Sequence, residues 1–125
     1  MKPIIDQQIT FLHAENLEQT KTFYTNTLGF PLLRDQGTCL IFGVNKGAYL
    51  GFCLHIEKVP IGRNIILTLV SDEVDEWYER LKSKDCEILE PPKYNSQYQI
   101  YHFFIKDPDG YWIEIQRFDQ PLKYK

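Results

Sequence analysis

The sequence predicts an α+β fold made of two βαβββ modules, and three observations predict it. A β-prone run, an amphipathic helix and three short strands occur in that order, and the same series then occurs again. The two series superpose: Ile9 falls on Ile66 and Leu17 on Val74 at an offset of 57, and Gly47 falls on Gly110 and Gly51 on Glu114 at an offset of 63. Turn residues punctuate both series at matching places. Such a duplication has structural meaning. One module covers a single sheet face with its helix; pairing two modules into a partly closed curved sheet covers more and leaves a small-molecule cavity.

Each element has a local reason. Residues 8–14 are apolar and β-prone, so they open module 1 as a strand. Asn16 is a helix N-cap with Gln19 at the third position. Leu17, Thr20, Tyr24, Thr27 and Leu28 follow at helical spacing, with Phe23 beside them. Gly29 stops the helix and Pro31 prevents its continuation. Strands are expected at about 31–35, 38–44 and 48–55, separated by Gly37 and by Asn45-Lys46-Gly47. Module 1 therefore spans about 8–56 and a linker about 57–63. In module 2, about 64–118, the run 64–70 is a strand and Ser71-Asp72 a second cap. Val74, Trp77, Tyr78 and Leu81 form an i, i+3, i+4, i+7 stripe. That helix ends near Lys82-Ser83-Lys84, cations where the helix dipole favours them. Strands follow near 86–89, 100–106 and 111–117, the last two joined by an Asp107-Pro108-Asp109-Gly110 turn. Residues 90–99 read as a long loop whose Tyr94 and Tyr98 reach a pocket mouth or pack locally. Residues 119–125 are a tail.

Composition narrows the function classes. The chain has 125 residues, enough for one core and too few for two independent ones. Hydrophobic residues make up 43% and aromatics 14%, which excludes disorder. The formal charge is −3 with its 14 Lys and Arg scattered, so no nucleic-acid partner is expected. No apolar run reaches the roughly 20 residues of a membrane span, and an early Asp6 interrupts any signal-peptide core. The expectation is a cytoplasmic protein away from membranes. Cys39, Cys53 and Cys86 are an odd set without CxxC spacing; they read as small buried hydrophobes in a reducing compartment, not as a disulfide framework or a zinc cluster.

Two motifs carry a resemblance. Leu17-Glu18-Gln19-Thr20-Lys21-Thr22-Phe23-Tyr24 with Leu28-Gly29-Phe30, and Asp107-Pro108-Asp109-Gly110-Tyr111-Trp112-Ile113-Glu114-Ile115, are similar to the first helix and last hairpin of the vicinal oxygen chelate superfamily. That superfamily includes glyoxalases, bleomycin resistance proteins and extradiol dioxygenases. The similarity runs from about residue 8 to 118. It implies four metal-ligand positions, occupied here by Ile9, Gly51, Ile66 and Glu114. Only Glu114 is a donor, whereas a divalent cation needs three or four. No metal cofactor is therefore expected at the inherited positions. The resemblance also implies a homodimer.

Strand alternation assigns the faces. Leu12, Leu50, Phe52, Leu67, Leu69, Ile113 and Ile115 belong under the helices. The opposite face carries the cavity candidates Phe11, His13, Tyr49, Cys53, Thr68, Trp112, Glu114 and Gln116, together with Val70. Gly51 opens space there. Either this lining holds a small organic molecule or its aromatics fill it as core. An unpaired Glu114 is costly to bury, which favours a partner or ligand for it. His102 lies on the next-to-last strand, near the turn that leads to Glu114, and could approach that carboxylate, a geometry the sequence leaves open; the two are the candidate catalytic residues. His55 reads as rim or surface. Three functions compete: metal-independent binding of a small molecule, glyoxalase-type or dioxygenase-like chemistry using Glu114 with a metal or as general base, and a ligand-free homodimer.

Overall fold

A computed structural model of the protein describes residues 1–124. The chain divides into two compact units, Met1–Pro60 and Ile61–Lys125. The last residue of the expected tail, 125, lies outside the described residues. The architecture is mixed α+β, with two sheets and few helices.

In the first unit β1 (Gln8–His13) leads into α1 (Leu17–Thr22), and β2 (Leu32–Asp35), β3 (Cys39–Asn45) and β4 (Ala48–Cys53) follow. Asn16 caps α1 as expected: its side chain accepts from the Gln19 amide at 3.1 Å. The helix then widens into a π-turn over Phe23–Thr27, closed by Leu28 N–H on the Phe23 carbonyl at 3.0 Å. Gly29 at φ 80° ends it, and Phe30 N–H reaches back to the Tyr24 carbonyl at 2.8 Å. The closure is one residue wider than a Schellman motif because the π-turn precedes it, and the left-handed glycine allows it. Thr20, Tyr24 and Leu28 are buried as their spacing predicts. The sheet order is β1-β4-β3-β2, with β1 parallel to β4. The core forms where the Tyr24 ring lies 4.5 Å from Phe52 and 5.3 Å from Phe42.

The second unit repeats the plan with β5 (Ile66–Val70), α2 (Val74–Ser83), β6 (Glu87–Ile88), β7 (Lys93–Asn95), β8 (Ile100–Lys106) and β9 (Trp112–Phe118). Its sheet runs β5-β9-β8-β6, with β7 also on β8. Val74 and Leu81 of the α2 stripe are fully buried, and Tyr78 meets Phe103 edge-on at 5.4 Å. Of the side chains assigned to the helix side, Leu12, Leu50, Phe52, Leu67, Ile113 and Ile115 are buried, whereas Leu69 near the end of β5 is only half-buried.

Three expectations need correction. The α2 N-cap is Glu73 without a side-chain cap bond; Ser71 Oγ instead accepts from Glu73 N–H at 3.0 Å, one turn before the helix starts. The 90–99 loop contains β7, whose Lys93, Tyr94 and Asn95 pair with His102, Tyr101 and Ile100. Backbone pairing to an available strand edge creates this strand, without any apolar alternation to announce it. Third, Cys39 and Cys53 are joined by a disulfide with Cα atoms 4.1 Å apart. They stand directly opposite each other on β3 and β4. The hairpin turn at residues 45–47 sets that register, so pairing follows from turn position, which counting cysteines does not capture.

Cys86 is the free cysteine among the described residues. Burial, and secondarily the Glu87 charge, pushes its thiol up to about 11. At pH 8 about one thiol in a thousand is then ionised, and thiolate is the nucleophile. In unreduced protein, iodoacetamide should label Cys86 alone and slowly, with the rate rising about tenfold per pH unit between pH 8 and 10. Rapid labelling that levels off below pH 9 would contradict this environment.

Candidate functional site

The site residues of the second unit are placed by one tight turn and three strands. Asp107 is buried and its Oδ1 accepts from the amides of Asp109 and Tyr111, both at 2.9 Å. Gly110 takes the positive φ of 94° that the turn requires. This closes β8 onto β9, and the register then sets Phe104 against Glu114 and His102 against Gln116. On the other side β5 sets Thr68 against Glu114.

Glu114, 8% exposed, is thereby held from both sides. Thr68 Oγ donates to Glu114 Oε1 at 2.8 Å, and His102 Nδ1 lies 2.6 Å from Glu114 Oε2. A carboxylate only accepts, so the bridging hydrogen belongs to His102 Nδ1. In a neutral imidazole this leaves Nε2 with a lone pair. The group gives the buried carboxylate two hydrogen-bond partners, which satisfies its need for one.

A hollow of about 370 Å³ opens over this pair. Its apolar wall includes Ile66, Ile100, Phe104 and Phe118, its polar floor is His102, Glu114 and Gln116, and Arg63, Asn95 and Tyr98 complete it. The Arg63 guanidinium sits 5.1 Å from the Trp112 ring centroid and 6.0 Å from that of Phe104. An apolar body with few convergent polar groups is the usual make-up of a small-molecule site.

The other candidates divide. Thr68 and Trp112 support this site by holding Glu114 and Arg63 respectively. Tyr98 lines the hollow, whereas Tyr94 donates to Asp119 at 2.5 Å and does not. In the first unit Phe11 and Cys53 line one hollow and Tyr49 another. His13 is engaged by the Ile56 carbonyl at 2.7 Å and Glu15 at 3.0 Å. The exposed Glu15 carboxyl is held below its ordinary range by that His13 contact and then by Lys58. Residue reading missed Arg63, Asn95, Ile100, Phe104 and Phe118. Phe104 and Ile100 share the His102 strand face at i±2 and were findable from alternation; Arg63, in a linker, carried no signal.

Gly51 does not open space. A Cβ at this position would lie 2.4 Å from Phe11 Cδ1, because the Phe11 ring folds over the glycine opposite it on β1. At the repeat-equivalent place in the second unit stand Thr68 and Glu114. A phenyl ring over bare backbone stands in the first unit where the second has a hydroxyl–carboxylate pair. Gly51→Ala should therefore cost about 1–3 kcal/mol of stability by overpacking. Adding Phe11→Ala should recover most of that loss in urea denaturation; additive losses would show that the ring is not what excludes the methyl.

The inherited metal positions fit a cation poorly in each unit. Ile9 and Gly51 offer no side-chain donor, Ile66 offers none, and the one carboxylate is already bonded to Thr68 and His102.

This arrangement defines the class: a βαβββ protein with an acidic residue in the last strand facing a small hollow. The family model described as Glyoxalase/Bleomycin resistance protein/Dioxygenase superfamily matches residues 7–115, and the chain belongs to that superfamily. Among solved structures, a glyoxalase/bleomycin resistance protein/dioxygenase from Nocardioides is similar at 20% identity and TM-score 0.78, covering 100% of this chain and 92% of that one. A lactoylglutathione lyase from Agrobacterium tumefaciens is 22% identical with TM-score 0.73, covering 93% of this chain and 96% of its own. A glyoxalase-related enzyme from Fulvimarina pelagi is 20% identical with TM-score 0.72, covering 87% of this chain and 85% of that chain. These likenesses establish the fold. No curated protein sequence matches the chain significantly.

Proposed function

We propose that the protein binds a small organic molecule in the hollow of the second unit, without a metal ion at the inherited positions. The observation that carries this reading is the Thr68–Glu114–His102 group on the floor of an otherwise apolar and aromatic hollow. Such a floor recognises a hydroxyl or cationic nitrogen at one end of an apolar ligand, with Arg63 available to an electron-rich or anionic edge. A homodimer is part of the proposal. No described helix is long and apolar enough to cross a membrane.

The 2.6 Å contact between His102 and Glu114 supports a second reading, a lyase or isomerase. Glu114 would orient His102, or act itself, as general base toward a proton next to a carbonyl. Both readings are separated by one set of measurements. A small-molecule screen by thermal shift should give stabilising ligands that contain an apolar ring and a hydroxyl or amine. Elemental analysis before and after incubation with Zn²⁺, Ni²⁺, Mn²⁺ and Fe²⁺ should show no metal that depends on Glu114. Near-stoichiometric metal lost in Glu114→Ala would overturn the metal-free reading, and turnover of a bound carbonyl compound would establish the enzyme.

A further inference from the structure

The first unit holds a second constellation on the face that carries Gly51. Cys39 and Cys53 stand directly opposite each other on β3 and β4, 6% and 1% exposed, and the exposed His55 follows two residues later. Cys39 Sγ lies 3.7 Å from His55 Nδ1, and donor atoms of all three residues fall within 4.8 Å of one another. No other group of three His, Cys, Asp or Glu among the described residues converges in this way. The three line a hollow of about 300 Å³ together with Phe11, Gln36 and Ile56.

Its place in the repeat is informative. At the offset of 63, Cys39 corresponds to His102 and Cys53 to Gln116, and each pair is directly opposed across the equivalent hairpin. The sheet position that presents an imidazole to a hollow in the second unit presents sulfur to a hollow in the first.

We propose that in the reduced protein Cys39, Cys53 and His55 bind Zn²⁺, and that the disulfide is the metal-free, oxidised form of the same site. The geometry suits the ion. Zn–S bonds of about 2.3 Å and a Zn–N bond of about 2.0–2.1 Å at tetrahedral angles place sulfur and nitrogen roughly 3.6 Å apart. The Cys39–His55 separation of 3.7 Å already has that value. The same angles put the two sulfurs roughly 3.8 Å apart, a spacing open to facing cross-strand side chains once their bond is cut. Two thiolates and an imidazole are a donor set that selects Zn²⁺ over Mg²⁺ or Ca²⁺. Three protein donors leave a fourth position toward the hollow, for water or a ligand atom.

The chemistry balances. A phosphine reductant gives two electrons to the S–S bond and takes oxygen from water, whose two protons go to the sulfurs. Zn²⁺ then displaces both thiol protons to solvent and binds the thiolates and a neutral His55 nitrogen, with no change in metal oxidation state. Oxidation by a small disulfide reverses this by exchange: the two sulfurs bond to each other, the metal leaves, and the oxidant is released as two thiols.

Anaerobic titration of phosphine-reduced full-length protein with Co²⁺ tests the proposal, since Co²⁺ reports thiolate ligation by near-ultraviolet charge-transfer absorption. One Co²⁺ per chain should bind with that band, and Zn²⁺ should displace it. The unreduced protein should show no band. His55→Ala, an exposed substitution, should weaken binding at least tenfold, as should Cys39→Ser and Cys53→Ser with unchanged circular dichroism. Glu114→Gln should bind as wild type does, which separates this site from the one in the second unit. Absence of a thiolate band in reduced wild type, or binding unaffected by both His55→Ala and Cys39→Ser, would overturn the proposal.

Discussion

Glu114→Gln should weaken ligand binding about tenfold or more while leaving the fold in place. The carboxamide has the shape of the carboxylate, and both neighbours can adapt to it: the Thr68 hydroxyl rotates, and His102 can accept through Nδ1 in its other tautomer. Folding stability should therefore fall by less than about 1 kcal/mol. A ligand hydroxyl or ammonium that donates to the carboxylate loses a charge-assisted hydrogen bond, about 1.5–3 kcal/mol, or roughly tenfold to a hundredfold in affinity. If the protein is an enzyme, loss of the orienting carboxylate should lower kcat by about 10²–10⁴-fold. Glu114→Ala is the contrasting variant. It strips a buried His102 of its partner and should also cost about 1–3 kcal/mol in stability. Isothermal titration with a ligand from the screen, paired with urea melts, checks both. Unchanged affinity in Glu114→Gln would remove the floor of the hollow from the binding site.

Phe52→Ala should produce the largest loss of stability. Its ring is 0% exposed and packs 4.5 Å from Tyr24 and 6.1 Å from Phe42 by ring centroid. Removing it deletes a full aromatic side chain from the place where α1 meets the sheet and leaves a cavity between rigid rings. The expected cost is about 3–5 kcal/mol. Domains are commonly stable by only about 5–15 kcal/mol, so this variant should unfold at markedly lower urea concentration. A loss below about 1 kcal/mol would mean that this aromatic cluster does not anchor the first unit. Val70→Ala, on an exposed side chain, is the control and should change little.

Much of this molecule was written in local patterns. Hydrophobic alternation, the Asn16 cap, the stop at Gly29 and the Asp107-Pro108-Asp109-Gly110 turn act over a few residues, so strands, helices and their buried faces followed from sequence. The repeat offset made Gly51 the equivalent of Glu114; the strand register then set them opposite Phe11 and Thr68. The missing metal donors were legible because a side chain without a lone pair cannot ligate in any fold. What tertiary structure alone decided depends on distances between residues far apart in the chain. Nothing local told that the Phe11 ring fills the place beside Gly51, that Arg63 lies over Trp112, or that β7 adds to the β8 edge. The Cys39–Cys53 bond is the clearest case: its two residues mean little 14 apart in sequence, and hairpin register brings them into contact. Likewise His102 and Glu114 were candidates by strand position, but only the strand register sets them 2.6 Å apart. Short-range sterics and hydration write the elements; the chemistry depends on which side chains the register makes neighbours.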